Sequence, residues 1–198
     1  EDLDLLNGPP SVRRRFLDIS ASQADAVYLR NLMQYNHVVA QRNSLLREIK
    51  TTGHETLESL KFWDLKLSEL AEPIVNLRTK FVRYLSGHAT ENFHRLSSGA
   101  PKLELRYAVA LPSRTESTLT VEALEKLRGR EIGAGQSLVG PHRDDLAITL
   151  GGRPVEGFGS RGEHRLIVLS LRFAQLQWLC DVTGELPILL LDDIFSEL

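Results

Sequence analysis

Residues 159–165 read Gly159-Ser160-Arg161-Gly162-Glu163-His164-Arg165, and residues 187–193 read Pro187-Ile188-Leu189-Leu190-Leu191-Asp192-Asp193. Between them, residues 163–180 are apolar nearly all the way round, as a buried helix is. A Ser-x-Gly at a helix start offers a hydroxyl, backbone N–H groups and the positive end of the helix dipole, which together can grip a phosphate. The same letters also fit a plain N-cap serine followed by an incidental glycine. The apolar run feeding two carboxylates has the pattern of a central parallel strand. Such a strand would deliver Asp192 to the sheet edge to serve Mg²⁺ through a water, and Asp193 to orient an attacking water. A buried strand ending in a polar turn would look alike. The order narrows the choice: a Ser-x-Gly start, about five helical turns, a turn at Gly184 and a strand ending Asp-Asp predict half of a nucleotide site in an α/β fold.

Upstream, two heptad seams dominate. Ser22-Gln-Ala-Asp25 has the form of a capping box, expected to open a helix. From there Tyr28, Leu32, Tyr35, Val39, Arg42, Leu46 and Ile49 alternate spacings of four and three, with only Arg42 not apolar. After Thr51-Thr52-Gly53-His54, a second seam runs through Trp63, Leu67, Leu70, Ile74, Leu77, Phe81, Tyr84 and His88, with Pro73 expected to kink it. Two such helices with a short link predict an antiparallel hairpin, an arm or lever. Leu103, Leu105, Tyr107, Val109 and Leu111 alternate as in a strand. Val121–Arg130 reads as a short helix closed by Gly129 or Gly133. Leu146, Ile148 and Leu150 alternate again before a Gly151-Gly152 turn.

Composition sets the frame. The chain has 198 residues, 42% hydrophobic and 25% charged, with a net charge of −2, the profile of an ordinary globular protein. The charge is unevenly spread: residues 13–106 carry fifteen Lys+Arg against ten Asp+Glu, and residues 139–198 five against nine. No run of about 18 apolar residues occurs, so no membrane span is expected. The single cysteine, Cys180, excludes an internal disulfide and fits a reducing cytoplasm. The chain opens with Glu1 and shows no signal pattern, which fits the interior of a longer reading frame.

Four blocks resemble the RecF family, of the SMC/Rad50-like branch of ABC ATPases: Gly8-Pro-Pro-Ser-Val-Arg-Arg-Arg-Phe-Leu-Asp18, Gln41-Arg-Asn-Ser-Leu-Leu46, Gly140-Pro-His-Arg-Asp-Asp-Leu146, and Ser160-Arg-Gly-Glu-His-Arg165 with Leu189-Leu-Leu-Asp-Asp-Ile-Phe-Ser-Glu-Leu198. The resemblance implies an ATP-dependent DNA-binding repair protein that dimerises around ATP and acts at single-strand gaps in DNA with RecO and RecR. It implies that Ser160, Arg161 and Gly162 are signature residues reaching the ATP of the opposite subunit. Asp192 would be the Mg²⁺ residue, through a water, and Asp193 would stand at the position of the catalytic base. It also implies a fold: an ABC-type second lobe, 139–198, with an inserted helical arm and small α+β segment, 16–138, and residues 1–15 as a remnant of the first lobe. Glu163 departs from the commoner glutamine, and Asp193 from the commoner glutamate. No Gly-x-x-x-x-Gly-Lys-[Ser/Thr] occurs, so this chain is not expected to hydrolyse ATP by itself. An SMC-like head with a vestigial half-site, docking proteins instead of turning over ATP, is the alternative.

Further candidates remain open at this stage. His142, Arg143, Asp144 and Asp145 invite a metal reading, but no second His or Cys ligand is spaced to complete it. A loop near the nucleotide or the dimer interface is the expectation. Arg13, Arg14 and Arg15 are candidates for DNA phosphates, or for bracing the hairpin base against Asp18 or Asp25. Arg42 is either a register-setting residue or a DNA contact.

Overall fold

A computed structural model describes residues 3–53, 57–97, 99, 101–110 and 118–189. In chain order the elements are α1 (Asp4–Asn7), α2 (Pro10–Ala24), α3 (Ala26–Thr52), α4 (Leu57–Leu96), β1 (Leu103–Ala108), α5 (Val121–Ala134), β2 (Asp145–Leu150), β3 (Arg153–Pro154) and α6 (Arg161–Thr183). Packing divides them into two units. The first comprises Glu1–Asp25, Arg78–Ala108 and Asp145–Leu198, and the second Ala26–Leu77 and Val109–Asp144. Helix α4 gives its first half to the second unit and the rest to the first. This division departs from the boundaries expected at 15/16 and 138/139. The reason is packing between distant segments: α2 lies on β2 and α6, and the later half of α4 carries aromatic rings onto both helices.

In the first unit, β1 and β2 pair antiparallel in the register Leu103↔Leu150 to Ala108↔Asp145, and β3 adds a short edge. Leu103, Leu105, Leu146, Ile148 and Leu150 turn to the core, as period-two alternation requires. The turn uses Gly151 and Gly152, both with positive φ, a conformation only glycine adopts cheaply. Phe81 stands between Phe16 (6.0 Å) and Trp178 (5.3 Å) and joins α2, α4 and α6. Trp178, 3% exposed, is a core residue. By length and composition α6 could cross a membrane, but half of its apolar window is buried inside the protein, as in a core helix.

The second unit holds the expected antiparallel hairpin. Arg42 meets Asp64, and Leu46 and Ile49 join Leu60 in one apolar cluster, so partners descend along α4 as positions rise along α3. Helix α4 runs through the exposed Pro73 without a break. Helix α5 closes later than expected, at Gly135 with φ +68°.

Two expectations need correction. Ser22-Gln-Ala-Asp25 marks the junction of two helices: Asp25 is the extended C-cap of α2, with its N–H on the Ala21 carbonyl, and α3 opens at the next residue, Ala26. Ser22 itself lies inside α2 and so does not hold the N-cap position that a capping box needs. Residues 10–18, which carry the three arginines, lie in α2, with Pro10 in its first turn, where a missing N–H costs nothing. Finally, Pro187–Leu189 are not in a strand, and Leu186 and Ile188 are each 88% exposed. A parallel strand needs backbone partners on its edges, and the described sheet, wholly antiparallel, offers none. Leu190, Leu191, Asp192, Asp193 and residues 194–198 lie outside the described residues.

Candidate functional site: the start of helix α6

Ser160 is the N-cap of α6, with φ −77° and ψ 161°. Its Oγ accepts from the Glu163 N–H at 3.2 Å, and the Glu163 carboxylate accepts from the Ser160 N–H at 2.7 Å. This reciprocal pair is a capping box. The backbone bond from Ser160, then the side-chain one, hold the Glu163 carboxyl below its usual range. The departure from glutamine thus has a local role: the carboxylate folds back on its own helix start.

The approach to the box is fixed from behind. His164 is buried and its Nε2 lies 2.9 Å from the Phe158 carbonyl. A carbonyl only accepts, so Nε2 carries the proton and Nδ1 accepts from Asn7 at 3.4 Å. Gly159 has φ +108°, and a Cβ there would stand 3.1 Å from His164 Nε2. In front, Ser160, Arg161 and Gly162 are all exposed. A Cβ at Gly162 would meet nothing within 4 Å. Glycine in a helix costs about 1 kcal/mol against alanine, and among the described residues no neighbour requires it there.

The 140–145 segment was expected as a loop, and most of it is. Gly140 has φ +118°, and a Cβ there would fall 2.5 Å from the Tyr35 hydroxyl. That hydroxyl lies 2.7 Å from His142 Nδ1. Arg143 donates from Nε to the Ser137 carbonyl (3.1 Å) and from a terminal nitrogen to Gln136 Oε1 (2.8 Å). Asp144 is buried and accepts from the Ala110 N–H at 2.7 Å. Asp145, at the start of β2, takes both Arg13 bonds at 2.7 and 2.8 Å. The two aspartates therefore do not converge, and no metal-binding cluster occurs among the described residues.

The arginines sort by their partners. Arg13 is 7% exposed and paired to Asp145, not to Asp18 or Asp25; Asp18 instead holds Arg78 at 2.7 Å. Arg42 is fully buried. It donates to Asp64 (2.8 Å), Ser137 (2.8 Å) and Glu131 (2.6 Å). Buried and paired, Arg13 and Arg42 brace and set register, and the DNA-contact reading of each is withdrawn. Arg14 is half-buried and engaged by other groups. Arg15 is exposed and lines a cleft of about 420 Å³ with Phe16 and Arg172.

Sequence reading missed the rest of the Arg42 network. Asp64 also takes Arg128 at 3.1 Å, and Glu131 also accepts from the Leu138 N–H. Asn43 accepts from both the N–H and the hydroxyl of Ser137. The available signal was Arg42 alone, the one residue of the first seam that is not apolar; Asp64 stood outside the seam read in the second helix. Asp192 and Asp193 lie outside the described residues.

No family model matches the chain. Curated relatives do, along its whole length. Two are the DNA replication and repair proteins RecF of Herpetosiphon aurantiacus, 40% identical over 199 residues, and of Bacillus subtilis, 39% identical over 204. Its relatives are RecF proteins. A solved structure of the recombination mediator RecF with ATP, of the RecFOR pathway, superposes with a TM-score of 0.89 at 32% identity and covers the entire chain. The fold is thus that of part of RecF, mixed α/β with a helical hairpin. The chain spans about half the length of the RecF proteins it matches: 51% and 55% of these two, and 54% of the solved chain.

Proposed function

We propose that this chain is the signature-bearing part of a RecF-type, ATP-gated DNA-binding repair protein that dimerises around nucleotide. The observation that carries the reading is Gly162. It occupies an exposed first turn beside the capping serine, and among the described residues no atom stands within 4 Å of where its side chain would begin. Gly87, Gly129 and Gly133 are open in the same way, so position decides: Gly162 stands two residues after an exposed N-cap serine at a helix start, where an outside group can use the close approach that glycine allows. The γ-phosphate of ATP held by a second subunit fits that role. The helix start offers N–H groups and dipole, Ser160 can donate its hydroxyl hydrogen, and Arg161 adds charge.

In this reading the residues here bind and orient. Ser160, Arg161 and Gly162 close over the phosphate from the opposite side, so ATP joins two subunits. Mg²⁺ would neutralise phosphate charge, with Asp192 the residue to serve it and Asp193 the one to position water. Catalysis also requires a phosphate-cradling loop, and this sequence contains none, so hydrolysis belongs to the longer protein. Action at single-strand gaps with RecO and RecR belongs to the same proposal. It is supported by the RecFOR context of the solved RecF structure.

The test is light scattering on the full-length protein carrying this segment, wild type and Ser160→Arg, with and without ATP-Mg²⁺. ATP should double the mass of the wild type and leave the variant monomeric. Equal dimerisation of both, or of neither, would leave the vestigial-head alternative standing.

A further inference from the structure

We propose that Arg47, Lys50 and Arg143 form a binding patch for the sugar-phosphate backbone of double-stranded DNA. This rests on the DNA-binding part of the proposed function and gives it a location. Arg13, Arg42, Arg78 and Arg128 each meet a carboxylate. Arg47, Lys50 and Arg143 are exposed, and among the described residues none of them is paired with one. Arg47 and Lys50 are three apart on α3, so they share a face. Both stems lie against the end of α5: a Cβ at Gly135 would stand 3.3 Å from Arg47 Cγ and 3.5 Å from Lys50 Cδ. Arg143 is anchored at the next two residues, through Gln136 and the Ser137 carbonyl. Gly135 and Ser137 are two residues apart, so the anchoring points lie within about 8 Å.

Charge accounting supports a ligand outside the protein. Both acceptors of Arg143 are neutral, so its guanidinium is oriented without being compensated. The nearby buried network is closed, with Asp64 and Glu131 balanced by Arg42 and Arg128. The end of α5 contributes about half a negative charge and the exposed Glu48 on α3 one more, against three full positive ones. Duplex DNA carries about one charge per 1.7 Å of its axis, so a patch of this size meets several phosphates. A guanidinium held in a fixed plane suits bidentate phosphate contact.

The experiment is fluorescence anisotropy of a labelled gapped duplex, titrated with the chain across a sodium chloride series. Wild type is compared with Arg47→Gln/Lys50→Gln/Arg143→Gln and with a charge-matched control from the other unit, Arg83→Gln/Arg95→Gln/Lys102→Gln. The patch variant should lose at least tenfold in affinity at low salt. Its log–log salt slope should be shallower by about 2 to 3, while the control stays within twofold of wild type. Equal losses in both variants, wild-type binding by the patch variant, or no salt-dependent binding by wild type would each overturn the proposal. So would displacement of the duplex by free ATP, which would make the patch a nucleotide site. Dimerisation of the Ser160 variant is read separately, so either claim can fail while the other survives.

Discussion

The Arg42 network in one unit and the start of α6 in the other are both polar, and they are finished to opposite degrees. Around Arg42 two guanidiniums face two carboxylates, and Ser137 and Asn43 take up further bonds. At α6 the capping box closes behind the helix start, while Ser160, Arg161 and Gly162 face outward. The contrast teaches where folding ends as an explanation. A buried charge needs partners, and those of Arg42 all lie in the same chain. Gly162 differs from the equally open Gly87, Gly129 and Gly133 in following an exposed N-cap serine at a helix start, the place where an anion can dock.

The largest effect should come from breaking the closed network. Arg42→Met leaves Asp64 with Arg128 alone and takes from the buried Glu131 its Arg42 partner, and should cost about 3–5 kcal/mol in urea unfolding. A triple change, Arg42→Met with Asp64→Leu and Glu131→Leu, should recover much of that loss. If Arg42→Met unfolds like wild type, the network is not what holds the second unit. Next, Ser160→Ala removes a cap and should cost about 1 kcal/mol, measured by the same unfolding. A smaller effect concerns pH. The Glu163 carboxyl is held below its ordinary value by the Ser160 bonds. Its contribution is therefore present above about pH 4.3 and lost as pH falls through the lowered folded value. Glu163→Gln keeps an acceptor for the box but should flatten that part of the stability–pH curve. An unchanged curve would mean the box is idle in solution.

What the sequence disclosed followed from local chemistry. The Gly151-Gly152 turn, the alternation at Leu146, Ile148 and Leu150, and Ser160 at a helix start each need only a few neighbouring residues. The seams were legible as helices but not as faces. Trp63, Leu70, Tyr84 and His88 were placed in the second seam on their apolar letters. The buried line instead runs through Leu60, Asp64, Leu67, Ala71, Ile74, Arg78, Phe81 and Leu85. Asp64 and Arg78 belong to it because Arg42, Arg128 and Asp18 come from distant segments to meet them. No periodicity records such partners. Of the two Ser-x-x-acid stretches in the chain, Ser160–Glu163 forms a capping box, while Ser22 lies inside α2 and the next helix opens only at Ala26.

The most direct measurement is made on Gly162→Ala, reading stability and ATP-dependent mass on the same full-length protein. Because nothing lies within 4 Å of the added methyl, stability should hold or rise, by no more than about 1 kcal/mol. ATP-driven dimerisation should nevertheless be lost. A variant that is stable and still dimerises would contradict the account, since Gly162 would then serve neither the fold nor a phosphate across the interface.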